Sequence, residues 1–228
     1  MVAAANAALL DDAEFQRRSP VRALAVQHAD APAAVGYGRL LTLANMPVLL
    51  AIIFAVTFVE RSVGPVLALY LEETGVPADR VIVIAGWLFS LTAVAGAIGH
   101  HVCSYLLQRY APRQVMVAAV GVAAAGAGVY ALGAGPWSLS VAATSLGLGS
   151  GVATTAAYAM AGDVIPAGAR GVGFGMLTGS ALVGLAASPV VAGLLAATTL
   201  RGVFILDVLL IAGVALGIQR WMREAIPS

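Results

Sequence analysis

The sequence contains no lysine, a single cysteine and very little charge of either sign. Twelve arginines and eleven acidic residues make up 10% of its 228 residues, whereas about a quarter of the residues in a soluble domain are charged. The net charge of +1 gives no reason to expect nucleic acid binding. Because Cys103 is the only cysteine, no disulfide can form within the chain, and we expect a small, buried side chain there.

Histidines are also scarce, which bears on metal binding. His100 and His101 are adjacent, and the third histidine, His28, lies far away in the sequence. Adjacent side chains on a helix point about 100° apart, and no third ligand of matching type has a suitable spacing. We therefore expect no metal site and no other cofactor.

Long apolar runs dominate what is present. Hydrophobic residues make up 61% of the chain, and the mean hydropathy is +0.94. A transmembrane span needs roughly 20 apolar residues. The uncharged run from 114 to 162 has 49 residues and is too long for one span, so the turn-like GAGP at 133–136 is expected to divide it into two. The other predicted spans are residues 46–71, 81–108, 171–200 and 202–219. Since lipid offers the backbone no hydrogen bonds, the sequence predicts an all-α polytopic membrane protein with six transmembrane helices.

The arginines are distributed unevenly between the two sides of these spans. If the N-terminus is cytoplasmic, nine arginines fall in inside segments and two, Arg80 and Arg201, fall in outside loops. This bias predicts a multi-pass protein of the cell (inner) membrane with both termini in the cytoplasm. The nine inside arginines are Arg17, Arg18, Arg22, Arg39, Arg109, Arg113, Arg170, Arg220 and Arg223.

Polar character divides the chain into three parts. Residues 1–45 hold most of it and read as a cytoplasmic loop or linker, in which the apolar residues 1–10 look like the remnant of a preceding helix. Residues 46–220 form the predicted six-helix bundle, and residues 221–228 form a cytoplasmic tail.

Three motifs resemble one family. The stretch AMAGDVIPAGARGVGFGMLTGSALVGLAASPVVAGLL, residues 159–195, places Asp163, Pro166 and Arg170 between two spans. The loop SYLLQRYAPRQ, residues 104–114, follows the second span, and Gly64-Pro65 precedes the LALYL that ends the first. In this order the motifs resemble the major facilitator superfamily, in particular the C-terminal six-helix half of its drug-efflux branch.

The matches differ in quality. In the loop, Leu106, Arg109 and Arg113 agree with the family's signature, whereas Ser104, Gln108, Ala111 and Pro112 depart from it. In the fifth span, Gly184, Pro189 and Gly193 agree, and Ser188 replaces a glycine.

The resemblance implies secondary active transport rather than enzymatic activity. It suggests a proton-coupled exporter of small amphipathic molecules, with protons, membrane lipid and a small-molecule substrate as partners. Since the family has twelve spans in two halves, it also implies a missing N-terminal six-helix half or a second copy of this chain. A truncated, inactive half-transporter and a six-span protein with a structural role remain alternatives.

Intramembrane proteolysis is a further alternative. Six spans, Gly-Ser-Gly at 149–151 and a histidine pair resemble features of rhomboid proteases. However, the catalytic histidine of those enzymes lies in a later helix, and no histidine follows His101. A serine without a base is not activated, so we expect no catalytic residues.

Glu60 and Arg61 are the main candidates for the transport site. They lie near the middle of the first span, where each charge costs about 2.5 to 3.5 kcal/mol on insertion scales. Pro65, after Gly64, removes a helical hydrogen bond from the carbonyl of Arg61 and predicts a kink. The resemblance places this helix at the central cavity and implies a substrate or proton path. An ion pair with another helix is the alternative.

Other charged residues are expected to lie at the two membrane surfaces. Arg109, Arg113, Asp163 and Arg170 share the predicted cytoplasmic side, and the resemblance implies a cytoplasmic gate there. A solvated acid is the alternative for Asp163. Asp207 is expected to be a shallow acid that reaches the outer interface.

Small residues recur at intervals of four in the fifth span. Gly171, Gly175 and Gly179 form one ridge, and Ser180, Gly184, Ser188 and Ala192 form another. Gly193 and Pro189 lie in the same span, and Gly147 and Gly151 repeat the spacing in the fourth. Small residues at this spacing allow helices in lipid to approach closely, so we expect most of these glycines to mark helix packing.

Overall fold

The chain is a helical bundle in the computed structural model, which describes residues 37–43, 45–132 and 135–222. A short helix, α1 (Tyr37–Leu41), precedes six long helices. These are α2 (Met46–Glu73), α3 (Ala78–Arg109), α4 (Pro112–Leu132), α5 (Pro136–Val164), α6 (Arg170–Ala196) and α7 (Leu200–Trp221), with a 3₁₀ turn, Ala167–Ala169, before α6. Each predicted span coincides with one long helix.

The long helices differ in apolar character. By length and composition, α2, α3, α4, α6 and α7 are suited to crossing a membrane. Helix α5 has 29 residues, but it is rich in alanine, glycine, serine and threonine. The predicted all-helical membrane fold is confirmed, with five clearly apolar spans and a sixth long helix of weaker hydropathy.

Proline and glycine set several helix boundaries. Pro112 and Pro136 open α4 and α5, where a missing N–H group costs nothing. After α2, Gly75 adopts a left-handed φ of 85°, and Val76 N–H bonds back to the carbonyl of Leu71 at 3.0 Å. This arrangement is typical of a glycine that ends a helix.

The predicted segments outside the bundle are only partly described. Residues 1–36 and 223–228 lie outside the described residues. They include most of the predicted linker, the predicted helix remnant over residues 1–10 and most of the predicted tail. Within the linker, the short helix Tyr37–Leu41 is described. Residues 133 and 134 of the predicted GAGP turn are also outside, although α4 ends before them and α5 begins after them.

Helix α5 packs between α3 and α4 through small residues on two of its faces. A Cβ added to Gly99 of α3 would lie 2.5 Å from the carbonyl oxygen of Leu148 on α5. A Cβ added to Gly149 of α5 would lie 2.5 Å from the carbonyl oxygen of Ala119 on α4. Only glycine permits such close backbone contact. Cys103 is fully buried at this interface, as expected.

Two helix pairs run parallel and in register. Ser180 and Ser188 of α6 donate to the carbonyl oxygens of Leu50 and Phe58 of α2 at 2.8 and 2.6 Å, and both pairs are 130 residues apart. In the other pair, His100 Nδ1 of α3 lies 2.7 Å from Thr155 Oγ1 of α5. A Cβ on Gly151 of α5 would collide with the carbonyl of Gly96 on α3, and both pairs are 55 residues apart. Spans of the same direction therefore pack side by side.

Burial is uneven among the helices. In the most apolar stretch of α2, 56% of the residues are buried within the chain, compared with 17% for α3 and for α6. Large apolar side chains stay exposed on α3 and α6, among them Trp87, Val94, Leu182 and Leu194. These two helices give the described bundle its main uncovered apolar surfaces.

Candidate functional site

The charged pair in the first span lies on the face of α2 that the other helices leave partly open. Arg61 is exposed and Glu60 is half-buried. Glu60 borders a small cavity, which Thr92 of α3 and Tyr130 of α4 also line. The acid therefore lies at the edge of the bundle interior, and the arginine points away from it.

Within the described helices, no ion pair accounts for these two charges. Among the described residues, neither Glu60 nor Arg61 has an ion-pair partner on another helix. Two charges near the middle of a 28-residue helix carry a high cost wherever they face lipid.

The residues predicted to kink this helix lie on the same open face. Gly64 is half-buried and Pro65 is exposed, and α2 continues as a helix through the proline. A Cβ on Gly64 would make ordinary contact, at 3.7 Å, with the ring of Phe89. The kink itself stays a prediction.

Asp207 lies in a different place from the one expected. The prediction of a shallow acid at the interface is wrong, because Asp207 is fully buried on α7. Its Oδ2 accepts a hydrogen bond of 2.5 Å from Ser62 Oγ, which follows Arg61 on α2. No described residue bonds to its Oδ1. Helix α7 turns this side chain inward, onto α2.

Ser62, which bonds to this buried acid, is the next residue after the charged pair on α2. Its hydroxyl also lies 2.9 Å from the carbonyl oxygen of Val59. A serine hydroxyl carries one proton, so Ser62 can donate to only one of these two acceptors at a time. The result is a polar contact inside an apolar interface, one residue away from Arg61.

An aromatic cluster joins α2, α4 and α7 about two turns beyond Ser62 along α2. Tyr70 donates a hydrogen bond of 2.5 Å to the carbonyl oxygen of Tyr130 on α4. Phe204 of α7 contacts both rings, at centroid distances of 4.9 and 5.3 Å. This packing holds α7 close to α2 beside the Ser62–Asp207 contact.

The buried position of Asp207 has no clear signal in the sequence alone. Its neighbours at helical spacing, Val203, Phe204 and Ile211, are buried on the same face of α7. The exposed face of this helix is equally apolar, with Ile205 and Leu209 on it. Helical periodicity therefore shows which residues share a face with Asp207, but it does not show that this face is the inward one.

The predicted gate residues share one end of the bundle. Arg109 ends α3 and Asp163 lies in the last turn of α5, and both are exposed. The Arg109 guanidinium lies 4.5 Å from the ring centroid of Tyr105. Arg113 donates to the carbonyl oxygen of Gln219 at 2.5 Å. Neither contact involves Asp163. The gate therefore stays a prediction, and so does the role of the exposed Arg170 in it.

The small residues of α6 divide into contacting and open positions. A Cβ on Gly184 would lie 2.7 Å from the carbonyl oxygen of Phe54 on α2. A Cβ on Gly171, Gly175, Gly179 or Gly193 would meet no described atom within 4 Å, and Pro189 is exposed. Within the described bundle these five positions mark no close helix contact, because their face of α6 points out of it.

Comparison with known proteins agrees with this architecture. The sequence matches the profile of the Major Facilitator Superfamily over residues 49–227. No curated protein shows a significant match. Among solved structures, the chain is similar to the peptide transporter POT, seen as an E310Q mutant in complex with sulfate, with a TM-score of 0.69 and 18% sequence identity.

The structural match covers 85% of this chain and 40% of the peptide transporter chain. At this low identity the likeness concerns the fold alone, and it agrees with the predicted half of a facilitator fold. The family profile covers well over half of the sequence. The chain is therefore an integral membrane protein that belongs to the Major Facilitator Superfamily.

Proposed function

We propose that this chain is a six-helix half of a secondary active transporter, which moves a small molecule when a complementary half is present. The observation that carries the proposal is the position of Glu60 and Arg61, in the middle of α2 and on its partly open face. Family membership and the half-transporter fold support the same conclusion.

The physical argument concerns the surroundings of Arg61. An arginine that faces lipid at this depth carries a cost of about 2.5 to 3.5 kcal/mol or more. A water-filled cavity between two halves removes that cost, since transporters bind substrate near the midplane between their repeats. Arg61 then contacts substrate, and the half-buried Glu60 carries the coupling proton.

The finer aspects of the proposal follow the family resemblance of the sequence. The transported molecule is small and amphipathic, the direction is efflux in exchange for protons, and no bond in the substrate is made or broken. A drug-efflux transporter of this type lies in the cell (inner) membrane with both termini in the cytoplasm. Arg109, Arg113, Asp163 and Arg170 form its cytoplasmic gate.

A partner half completes the cavity. The chain spans 40% of the length of the peptide transporter chain that it matches. The weakly buried helices α3 and α6 offer the surface for a first half or for a second copy of this chain.

Efflux measurements test the site directly. The chain is expressed alone and joined to a six-helix first half, and export of a fluorescent amphipathic cation is measured in each case. We expect export only from the joined protein, with a loss of tenfold or more in Glu60→Gln and in Arg61→Ala. Glu72→Gln and Arg80→Ala, exposed residues at helix ends, are matched controls and should export normally. Full export by both site variants would refute the role of the pair.

Reporter fusions test the orientation. Because nine arginines lie on one side of the predicted spans and two on the other, fusions at positions 111 and 168 should be active in the cytoplasm. Fusions at 76 and 135 should be active in the periplasm. The opposite pattern would show that the bundle is inverted.

A further inference from the structure

A groove runs along the outside of the bundle between α3 and α4. The two helices are joined by only Tyr110 and Ala111, yet both pack on α5 and diverge from each other. The groove has a volume of about 340 Å³, with Leu148 and Gly149 of α5 as its floor. This volume lies within the range of about 300 to 1,000 Å³ that is typical of ligand sites. We call it the α3–α4 groove.

The α3–α4 groove is apolar along most of its length and polar at one end. Leu106 and Val122 are among its apolar wall residues, and Tyr110 and Gln114 lie at the end nearest the α3–α4 turn. Gln114 and Val122 are eight residues apart on α4, which corresponds to about 12 Å. One leaflet of the hydrocarbon core is about 15 Å thick, half of the whole core. The groove is therefore long enough to span most of one leaflet, and its polar end lies toward the α3–α4 turn.

A guanidinium group lies beside this polar end. Gln114 and Ala118 line the α3–α4 groove and also an adjoining cavity, whose other residues include Arg113 and Gln219. Arg113 is half-buried and bonds to the carbonyl oxygen of Gln219. The planar fork of N–H groups on a guanidinium matches the geometry of a phosphate group.

The charge at this end of the bundle is strongly positive. Its described residues include five arginines and one acid, whereas the opposite end has two arginines and three acids. The first set is Arg39, Arg109, Arg113, Arg170, Arg220 and Asp163, and the second is Arg80, Arg201, Glu72, Glu73 and Asp79. A ligand with an apolar tail and an anionic head fits the groove in only one direction, with its head at Arg113.

We propose that the α3–α4 groove is a binding site for an anionic phospholipid. One acyl chain lies between α3 and α4, along Leu106 and Val122, and the phosphate group binds Arg113 at the polar end. Basic pockets between transmembrane helices are known to bind anionic lipid headgroups. The site is separate from the Glu60–Arg61 pair, although it shares Arg113 with the proposed cytoplasmic gate.

Lipid titration of the purified full chain tests this site. Native mass spectrometry in detergent counts bound dioleoylphosphatidylglycerol and, for comparison, dioleoylphosphatidylcholine. We expect one phosphatidylglycerol to be retained in preference to phosphatidylcholine. Soluble glycerol 3-phosphate, which lacks the acyl chains, should not compete at the same concentration. Equal retention of the two lipids, or full competition by glycerol 3-phosphate, would overturn the proposal.

Two variants separate the head and tail contributions. Arg113→Gln should lower the apparent affinity for phosphatidylglycerol about fivefold, since one arginine near an anionic headgroup contributes about 1 kcal/mol. Arg201→Gln, at the opposite end, is the matched control and should bind normally. Ala118→Phe places a ring in the groove and should abolish retention. Ala97→Phe, at an exposed alanine on the opposite face of α3 from Leu106, should retain the lipid.

Folding of each variant is checked by size-exclusion chromatography and circular dichroism. If Arg113→Gln does not fold, Ala118→Phe and Ala97→Phe still decide the question, because both alanines are exposed and only Ala118 lines the groove. Equal lipid retention by these two variants would show that the acyl chain does not occupy the groove.

Discussion

The two faces of α6 have the same kind of sequence and very different surroundings. Ser180, Gly184 and Ser188 lie against α2, where two serine hydroxyls bond to backbone carbonyls and the glycine permits close contact. Gly171, Gly175 and Gly179 have the same spacing, and a Cβ on any of them would meet nothing within 4 Å among the described atoms. Spacing by four therefore shows that residues share a face, but it does not show which face meets a neighbour.

The largest effect is expected where a side chain would collide with backbone. Gly184→Leu forces apart α2 and α6, because even a Cβ would lie 2.7 Å from the carbonyl oxygen of Phe54. Overpacking of this kind costs about 1 to 3 kcal/mol and sometimes more. Thermal unfolding in detergent should show a clear loss of stability.

Gly175→Leu is the matched control for that prediction, since it places the same side chain on the open face of the same helix. We expect its unfolding midpoint to stay close to that of the wild type. If both variants lose stability equally, the distinction between the two faces of α6 is wrong.

A second effect concerns the contact between α2 and α7. Ser62→Ala removes the described hydrogen bond to Asp207 and leaves a buried carboxyl group without a described partner. A buried polar group left unsatisfied costs about 1 to 3 kcal/mol. The free energy of unfolding should fall by about that amount.

A double-mutant cycle sharpens this prediction. In Ser62→Ala with Asp207→Val, the carboxyl group is also gone, and a large part of the stability should return because both polar partners have been removed together. A double variant as unstable as the sum of the two single variants would mean that Ser62 and Asp207 do not interact.

The smallest effect is expected from a single serine on the packed face. Ser188→Ala removes the hydrogen bond to the carbonyl oxygen of Phe58, and such bonds in membranes average about 0.6 kcal/mol. The unfolding midpoint should decrease slightly. Thr178→Ala, at an exposed position of the same helix, is the control and should leave the unfolding midpoint unchanged. A larger loss of stability in Thr178→Ala than in Ser188→Ala would contradict the assignment of faces.

The positions of the helices could be predicted well from the sequence. Predicted spans such as 46–71 and 202–219 correspond to Met46–Glu73 and Leu200–Trp221. The contacts of individual side chains could not be predicted in the same way. Asp207 was expected at the interface and lies buried against Ser62, because the rotation of α7 about its axis depends on packing with α2 and α4.

The sequence by itself therefore determined where the spans lie and that they are helices, because lipid leaves the backbone no other way to satisfy its hydrogen bonds. Its motifs also indicated the family that the profile match shows. Only the tertiary structure decided which ridge of α6 is packed, that Arg61 stays exposed, and that Asp207 is buried. Ser62 and Asp207 are 145 residues apart in the chain, and a local pattern of apolar residues contains no information about which distant helix will face it.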